Sequence, residues 1–207
     1  MKTFNCCLAE KLLFLPGASG NIRFWQPVSD LISHPGYREF FGWPGFGGVP
    51  RDATVRCFDD LVASVAASIT CPTDILAQSM GGAIAIKVAL QQQDLVKHLV
   101  LSVTSGGIDM ASFGAMDWQN EFKANNPLVP DWFYNVREDL SSRLCELKMP
   151  VLLLWGDNDP ISPVAVGSRL NDLMPNSELV IIQNGTHGLV NEQAATVAPL
   201  IEKHLVF

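Results

Sequence analysis

The sequence predicts an α/β fold: a single domain over residues 1–207, built on a mostly parallel open sheet of about six strands with helices on both faces. Three observations predict it. Short apolar runs alternate with stretches of helical periodicity along most of the chain, the pattern of a sheet wound with crossover helices. Two of the runs, "VKHLVLSV" (96–103) and "MPVLLLWG" (149–156), are nearly continuous in apolar residues, as strands covered on both faces must be. In "DILAQSMGGAIAIKVAL" (74–90), Ser79 stands between a short apolar run and a long one, with Gly81 and Gly82 close behind. Small residues at such a junction suit a tight strand-to-helix turn.

The elements follow in order. "KLLFL" (11–15) reads as a buried strand ended by Pro16-Gly17, and a helix follows through "FWQPVSDLI" (24–32). "YREFFGW" (37–43) is a weaker strand closed by "PGFGG". In "CFDDLVASVAASI" the apolar residues fall at 58, 61, 62, 65, 66 and 69, which is helical spacing. Asp59 and Asp60 sit near its start, where the helix dipole favours negative charge. "DILAQ" (74–78) is a strand, and the nearly all-apolar helix 80–90 after it should be buried on most sides. After strand 149–156, "SPVAVGSRLNDLMP" offers Ser162 as N-cap and Pro163 as the first helical residue. "ELVIIQ" (178–183) is the last strand and "EQAATVAPLIEKHL" (192–205) the last helix, bent at Pro199. Residues 108–147 break this rhythm. They are rich in Phe, Trp, Met, Asn and Pro without a strand, and read as a lid-like insertion within the domain.

Composition narrows the function. Of 207 residues, 48% are hydrophobic and 17% charged, as in a folded globular chain rather than a disordered one. The formal charge of −7 leaves no electrostatic footprint for nucleic acid and no basic cluster for an anionic membrane. No apolar run approaches the roughly 20 residues that span a bilayer. Asn5, Glu10 and Lys11 interrupt any signal-peptide core, so a cytoplasmic location is expected. The five cysteines (6, 7, 57, 71 and 145) form no CxxC pair, which predicts free, mostly buried thiols in a reducing compartment. With no CxxC, HExxH or clustered His/Asp set, neither a metal nor another cofactor is expected.

In open parallel sheets, ligands sit at the carboxyl ends of the strands. The first strand delivers the turn "PGASG", the strand at 74–78 delivers Ser79, "LLLWGDNDP" delivers Asp157 and Asp159, and "VIIQNGTHG" delivers His187. A hydroxyl, a carboxylate and an imidazole therefore come from three strand ends, in that chain order. A serine hydroxyl is a poor nucleophile until an adjacent base takes its proton. Histidine, with an ordinary pKa near 6.5, accepts and returns protons around neutrality. Either aspartate could hold the imidazole in one tautomer at this point.

These residues resemble the α/β-hydrolase family. Its nucleophile elbow is G-x-S-x-G between strand and helix, followed in sequence by the acid and then the histidine. The elbow here reads "AQSMG", with Ala77 in place of the first glycine. "GDNDPISP" looks like the family's acid loop, whose aspartate falls three residues after the glycine; that favours Asp159 over Asp157. "NGTHGLVNEQ" is similar to its histidine loop, including Glu192, and "GWPGFGG" to the turn after its fourth strand. The resemblance covers residues 11–207. It implies Ser79 as nucleophile, His187 as base, Asp159 as orienting acid, and the backbone N–H groups of Ala18 and Met80 as the oxyanion hole. Two departures stand out. The usual N-terminal strand pair is absent or reduced to residues 2–8. "PGASG" replaces the family's frequent His-Gly, which implies altered loop support without loss of the chemistry.

The implied activity is that of a serine hydrolase cleaving a small uncharged acyl substrate, most simply a carboxylic ester, through an acyl-enzyme. Relatives with the same triad cleave thioesters or carbon–carbon bonds, and the residues do not separate these. A different class, a ligand receptor that retains the fold with little or no turnover, is the alternative. Aromatic and methionine residues at 113, 116, 118, 122, 132, 133 and 134 either pack the insertion on the sheet or wall an apolar pocket. Trp25, Phe113 and Trp118 are the candidates for the pocket, which so short an insertion should leave shallow and suited to short or medium acyl chains. His34, His98 and His204 read as ordinary surface or cap histidines. The strand at 37–43 lies near an exposed edge, and exposed edges pair or are blunted. A monomer with that edge covered by residues 1–10, or a homodimer, is expected.

Overall fold

In the computed structural model, which describes residues 8–136 and 138–206, six of the apolar runs pair into one parallel sheet of order β2-β1-β3-β4-β5-β6. The strands are β1 (Lys11–Leu15), β2 (Tyr37–Phe40), β3 (Thr73–Gln78), β4 (Val96–Ser102), β5 (Val151–Gly156) and β6 (Ser177–Ile182). The two near-continuous apolar runs form β4 and β5 inside the sheet, and β1, β3 and β5 are buried at every residue. β2 stops at Phe40, shorter than expected, because the chain turns off and sinks the indole of Trp43 into the core.

The helices are α1 (Gln26–Leu31), α2 (Phe58–Ser68), α3 (Met80–Gln91), α4 (Gln119–Asn125), α5 (Val164–Leu173), α6 (Leu189–Glu192) and α7 (Ala194–Leu205). The chain steps from β1 outward to β2, then reverses to β3 and continues toward β6. Right-handed crossovers therefore place α1 on one face and α2, α3 and α5 on the other. α7 packs on α1 and so shares its face, while α2 packs on α3. Residues 81–90 of α3 are buried apart from Lys87, as its apolar composition predicts.

Some expectations change. α5 begins one residue later than its sequence signal, with Pro163 at the cap position, because Ser162 is buried and turns its hydroxyl toward the carbonyl of Thr104 at 3.4 Å. α7 runs through Pro199 after a break from α6 at Gln193. Cys57 and Cys145 are exposed and Cys71 half-buried, all three as free thiols, so burial was the wrong expectation for them. Cys6, Cys7 and nearly all of the edge strand expected at 2–8 lie outside the described residues.

The other histidines are not surface residues. Asp74, fully buried at the start of β3, meets His98 Nδ1 at 2.7 Å and His34 Nε2 at 3.5 Å. His204 packs edge-on to His98 at 5.4 Å, with its Nε2 3.0 Å from the carbonyl of Leu99. His34 accepts the Gly36 N–H at Nδ1, which leaves its proton on Nε2, facing Asp74.

Between β4 and β5 the described chain forms no strand. It carries single helical turns at Ala111–Phe113, Asp131–Asn135 and Leu144–Glu146, with α4 among them. The Met116 amide donates to the carbonyl of Pro160 (2.8 Å) and the Leu140 amide to that of Gly107 (2.8 Å). These bonds tie the segment down over the carboxyl ends of the strands.

Candidate active site

Ser79 links β3 directly to α3 with φ 53° and ψ −120°, left-handed backbone that a side chain adopts only under constraint. The constraint is visible. Its amide donates to the carbonyl of Ser102 (2.9 Å), and its carbonyl accepts from Thr104 Oγ1 (2.6 Å) and from the Gly82 amide (3.0 Å). The glycine after Met80 has a steric reason: a Cβ at Gly81 would lie 2.5 Å from the carbonyl oxygen of Pro16. The end of β1 thus rests against the start of α3, which brings the turn after β1 beside Ser79.

His187, after β6, faces Ser79 with Nε2 3.0 Å from Oγ, and its Nδ1 lies 2.8 Å from Asp159 Oδ2. A carboxylate only accepts, so Nδ1 carries the proton and the neutral ring keeps a lone pair on Nε2 for the serine hydroxyl. Asp159 is buried, and its other oxygen accepts the amides of Ile161 (2.9 Å) and Ser162 (3.2 Å). Asp157 is exposed and reaches no imidazole. The two loops touch backbone to backbone: a Cβ at Gly156 would sit 2.1 Å from the carbonyl oxygen of Gly185.

The two residues expected to offer oxyanion amides are Ala18, in the turn after β1 and on one cavity wall with Ser79, and Met80, the first residue of α3. Neither amide finds an acceptor among the described residues. The indole of Trp43 donates to the carbonyl of Gly17 (2.9 Å) and that of Trp25 to the carbonyl of Leu15 (3.0 Å). Trp25 is therefore a correction. It is 1% exposed, packed near Phe14 and Phe24, and braces the turn that carries Ala18 instead of lining a pocket.

A cavity of about 640 Å³ opens at Ser79 and His187, walled by Met80, Ala83, Val103, Ile108, Trp118 and Phe133 among others. A second, of about 270 Å³, also reaches the pair and includes Ala18, Phe24, Gln78 and Trp118. Trp118 thus stands in both walls. Phe113 does not line either; on its helical turn it packs against the core while Met110 and Ala111 face the larger cavity.

Residues 12–135 match the model of the alpha/beta hydrolase family. The chain belongs to the alpha/beta hydrolase family. Residues 123–206 also match a model described as TAP-like protein. A pimeloyl-[acyl-carrier protein] methyl ester esterase of Neisseria meningitidis is 26% identical, over 76% of this chain and 78% of its own. The AB hydrolase superfamily protein YisY of Bacillus subtilis is also 26% identical, over 92% of this chain and 89% of its own. Among solved structures, a lipase-esterase related protein from Clostridium acetobutylicum superimposes with a TM-score of 0.74 at 20% identity, covering 94% of this chain and 93% of that one. An esterase from Exiguobacterium antarcticum does so with 0.76 at 16%, covering 95% and 91%.

This alpha/beta hydrolase holds its site with residues that carried no sequence signal. Thr104 is fully buried under the elbow. Gln78, the residue before the serine, donates from Nε2 to the carbonyl of His187 at 3.1 Å. Ile161 joins Trp118 in both cavities. Only the position of Gln78 beside Ser79 could have drawn attention. Among the described residues no group of three His, Cys, Asp or Glu is placed to hold a metal ion, and no helix is long and apolar enough to cross a membrane.

Proposed function

We propose that this alpha/beta hydrolase is a serine hydrolase of small uncharged carboxylic esters, with Ser79, His187 and Asp159 as its triad. The observation that carries the reading is the hydrogen-bonded series Ser79–His187–Asp159, at 3.0 and 2.8 Å, opening into a cavity where Met80, Ala83, Val103, Ile108, Trp118 and Phe133 stand beside Asp109, Glu138 and Asp139. His187 Nε2 takes the hydroxyl proton as Ser79 Oγ bonds to the ester carbonyl carbon. The oxyanion that forms is met by the amides of Ala18 and Met80, each such donor contributing about 10²–10³ in rate. The imidazolium then gives its proton to the departing alkoxide, and the acyl group stays on Ser79. Water, deprotonated by His187, releases the acid and restores the serine.

The oxygen ester is favoured over a thioester or carbon–carbon bond by the relatives, whose printed names include methyl ester esterases. Residues 108–147 act as the lid, since they supply walls of both cavities and are bonded to the acid loop through Met116.

The test is turnover of p-nitrophenyl butyrate, with alkyl esters and acyl thioesters alongside. Ser79→Ala is expected to lose at least about 10³-fold in kcat while staying folded. Retention of wild-type turnover by this variant would remove Ser79 from the chemistry. Stoichiometric binding of an acyl ligand with no turnover of any of these substrates would make the protein a receptor.

A further inference from the structure

Ser79 is approached by two loops, the turn after β1 and the histidine loop after β6, and the Gln78 side chain touches the backbone of both. Gln78 is the last residue of β3, is 5% exposed, and walls the smaller cavity with Ala18, Ser79 and His187. Its Nε2 donates to the carbonyl of His187 at 3.1 Å, across 109 residues of chain. A carbonyl only accepts, which fixes the nitrogen on that side of the amide and the oxygen on the other. The oxygen lies against Gly17: a Cβ there would come within 2.2 Å of Gln78 Oε1 and 3.2 Å of the Ser79 Cβ. Among the described residues no other group donates to the His187 carbonyl. The histidine loop is also bonded to the acid loop, since the amides of Asp157 and Asn158 donate to the carbonyls of Ile182 and Gly185 at 3.2 and 3.0 Å. Those bonds join imidazole and carboxylate into one unit, and the Gln78 amide ties that unit to the strand of the serine.

We propose that Gln78 is a positioning residue, whose amide holds the His187 backbone in place so that Nε2 stays on the Ser79 hydroxyl. The inference rests on the hydrolase reading above and deepens it. In that reading the ring takes the serine proton, carries it as imidazolium and returns it to the leaving group. While charged, the ring is drawn toward the Asp159 carboxylate and away from the serine, and the backbone tie opposes that drift. Misplacement of a reacting group by about 1 Å costs on the order of 10²-fold in rate, so one hydrogen bond to the loop carries weight in kcat.

The experiment measures kcat and KM for p-nitrophenyl butyrate in the wild type, Gln78→Met and Gln78→Glu. Methionine keeps the length and the packing on Gly17 but has no donor; glutamate keeps the shape and sets an oxygen against the carbonyl. Reaction with diethyl p-nitrophenyl phosphate, which bonds phosphorus to the serine oxygen and releases one p-nitrophenolate, counts the competent sites of each protein. Melting curves establish that the variants fold. Per competent site, Gln78→Met is expected to lose about 10–100-fold in kcat with KM within about threefold, the mark of an interaction that serves the transition state. Gln78→Glu should lose at least as much, and its carboxylate, by favouring the imidazolium, should move the acidic limb of the kcat/KM profile to higher pH. A folded Gln78→Met with kcat within about threefold of wild type, or a loss confined to KM, overturns the inference. So does an unmoved limb in Gln78→Glu, or a kcat that returns to the wild-type value once competent sites are counted. All of these leave the hydrolase reading standing. Turnover of no ester by the wild type, or equal turnover by Ser79→Ala, overturns both.

Discussion

Asp157 and Asp159 lie two residues apart on one loop, yet Asp159 alone reaches His187, at 2.8 Å. Asp157 follows the strand end directly and stays exposed, whereas the chain has turned further by Asp159, whose carboxylate is buried under the imidazole. An asparagine at 159 keeps one oxygen to accept the amides of Ile161 and Ser162 but presents the wrong partner to Nδ1. Asp159→Asn is expected to fold and to lose up to about 10⁴ in kcat near neutral pH. Asp157→Asn should stay within about tenfold of wild type. Steady-state rates of the two variants, each checked by circular dichroism, decide this; the reverse pattern would move the acid role to Asp157.

The element that matters most to the proposed chemistry is the strand–turn–helix around Ser79, and its positive φ is sustained by neighbours far apart in sequence. Thr104, itself fully buried, donates from Oγ1 to the Ser79 carbonyl at 2.6 Å and accepts the Gly106 amide at 3.0 Å. Thr104→Val has nearly the same shape, leaves the Gly106 amide unpaired and the Ser79 carbonyl with the Gly82 amide alone, and so should cost about 1–3 kcal/mol of stability in urea unfolding. An unchanged midpoint would mean that the elbow is held by its backbone bonds alone. At Gly81 the obstacle is a backbone carbonyl, that of Pro16, which cannot rotate away as a side chain does. Gly81→Ala should therefore push the turn carrying Ala18 from the elbow and lower kcat more than it raises KM. A change confined to KM would count against that account.

For the whole molecule, the cluster around Asp74 makes stability depend on pH. Burial, reinforced by the neighbouring His98, pushes the pKa of His204 down to about 4 from 6.5, against the backbone carbonyls of Leu99 and Pro150. His34 is also lowered, by burial first; Asp74 opposes this, while Arg38 and His98 add to it. Both folded-state values lie below those of the unfolded chain, so between pH 6.5 and about 4 the unfolded state binds the His204 proton more readily. Stability is therefore complete above the unfolded pKa and declines as the pH falls, by up to about 3 kcal/mol from His204. Denaturant midpoints should drop between about pH 7.5 and about pH 5, and His204→Gln, which keeps a donor toward Leu99, should flatten that drop. A wild type that gains stability on acidification would contradict the burial argument.

The alternation of apolar runs and helical periods was enough to specify a parallel six-stranded sheet, because strand and helix periodicity are local properties that survive being read in one dimension. The same locality made the strand ends legible, and with them Ser79, the loop of Asp157 and Asp159, and His187; the family resemblance then favoured Asp159. Tertiary structure decided whatever depends on remote segments meeting. Trp25 looked available to a pocket, but the close approach of its indole to the Leu15 carbonyl turned it into a brace. Ser162 carried a sound capping signal that lost to the carbonyl of Thr104, a partner 58 residues away. The histidines at 34, 98 and 204 have no common pattern in the chain, since only tertiary packing brings His34 and His98 to Asp74, and the return of α7 brings His204 to His98. Trp118 stands in the walls of two cavities for the same reason: a cavity wall is a relation among distant residues, and no spacing along one segment encodes it.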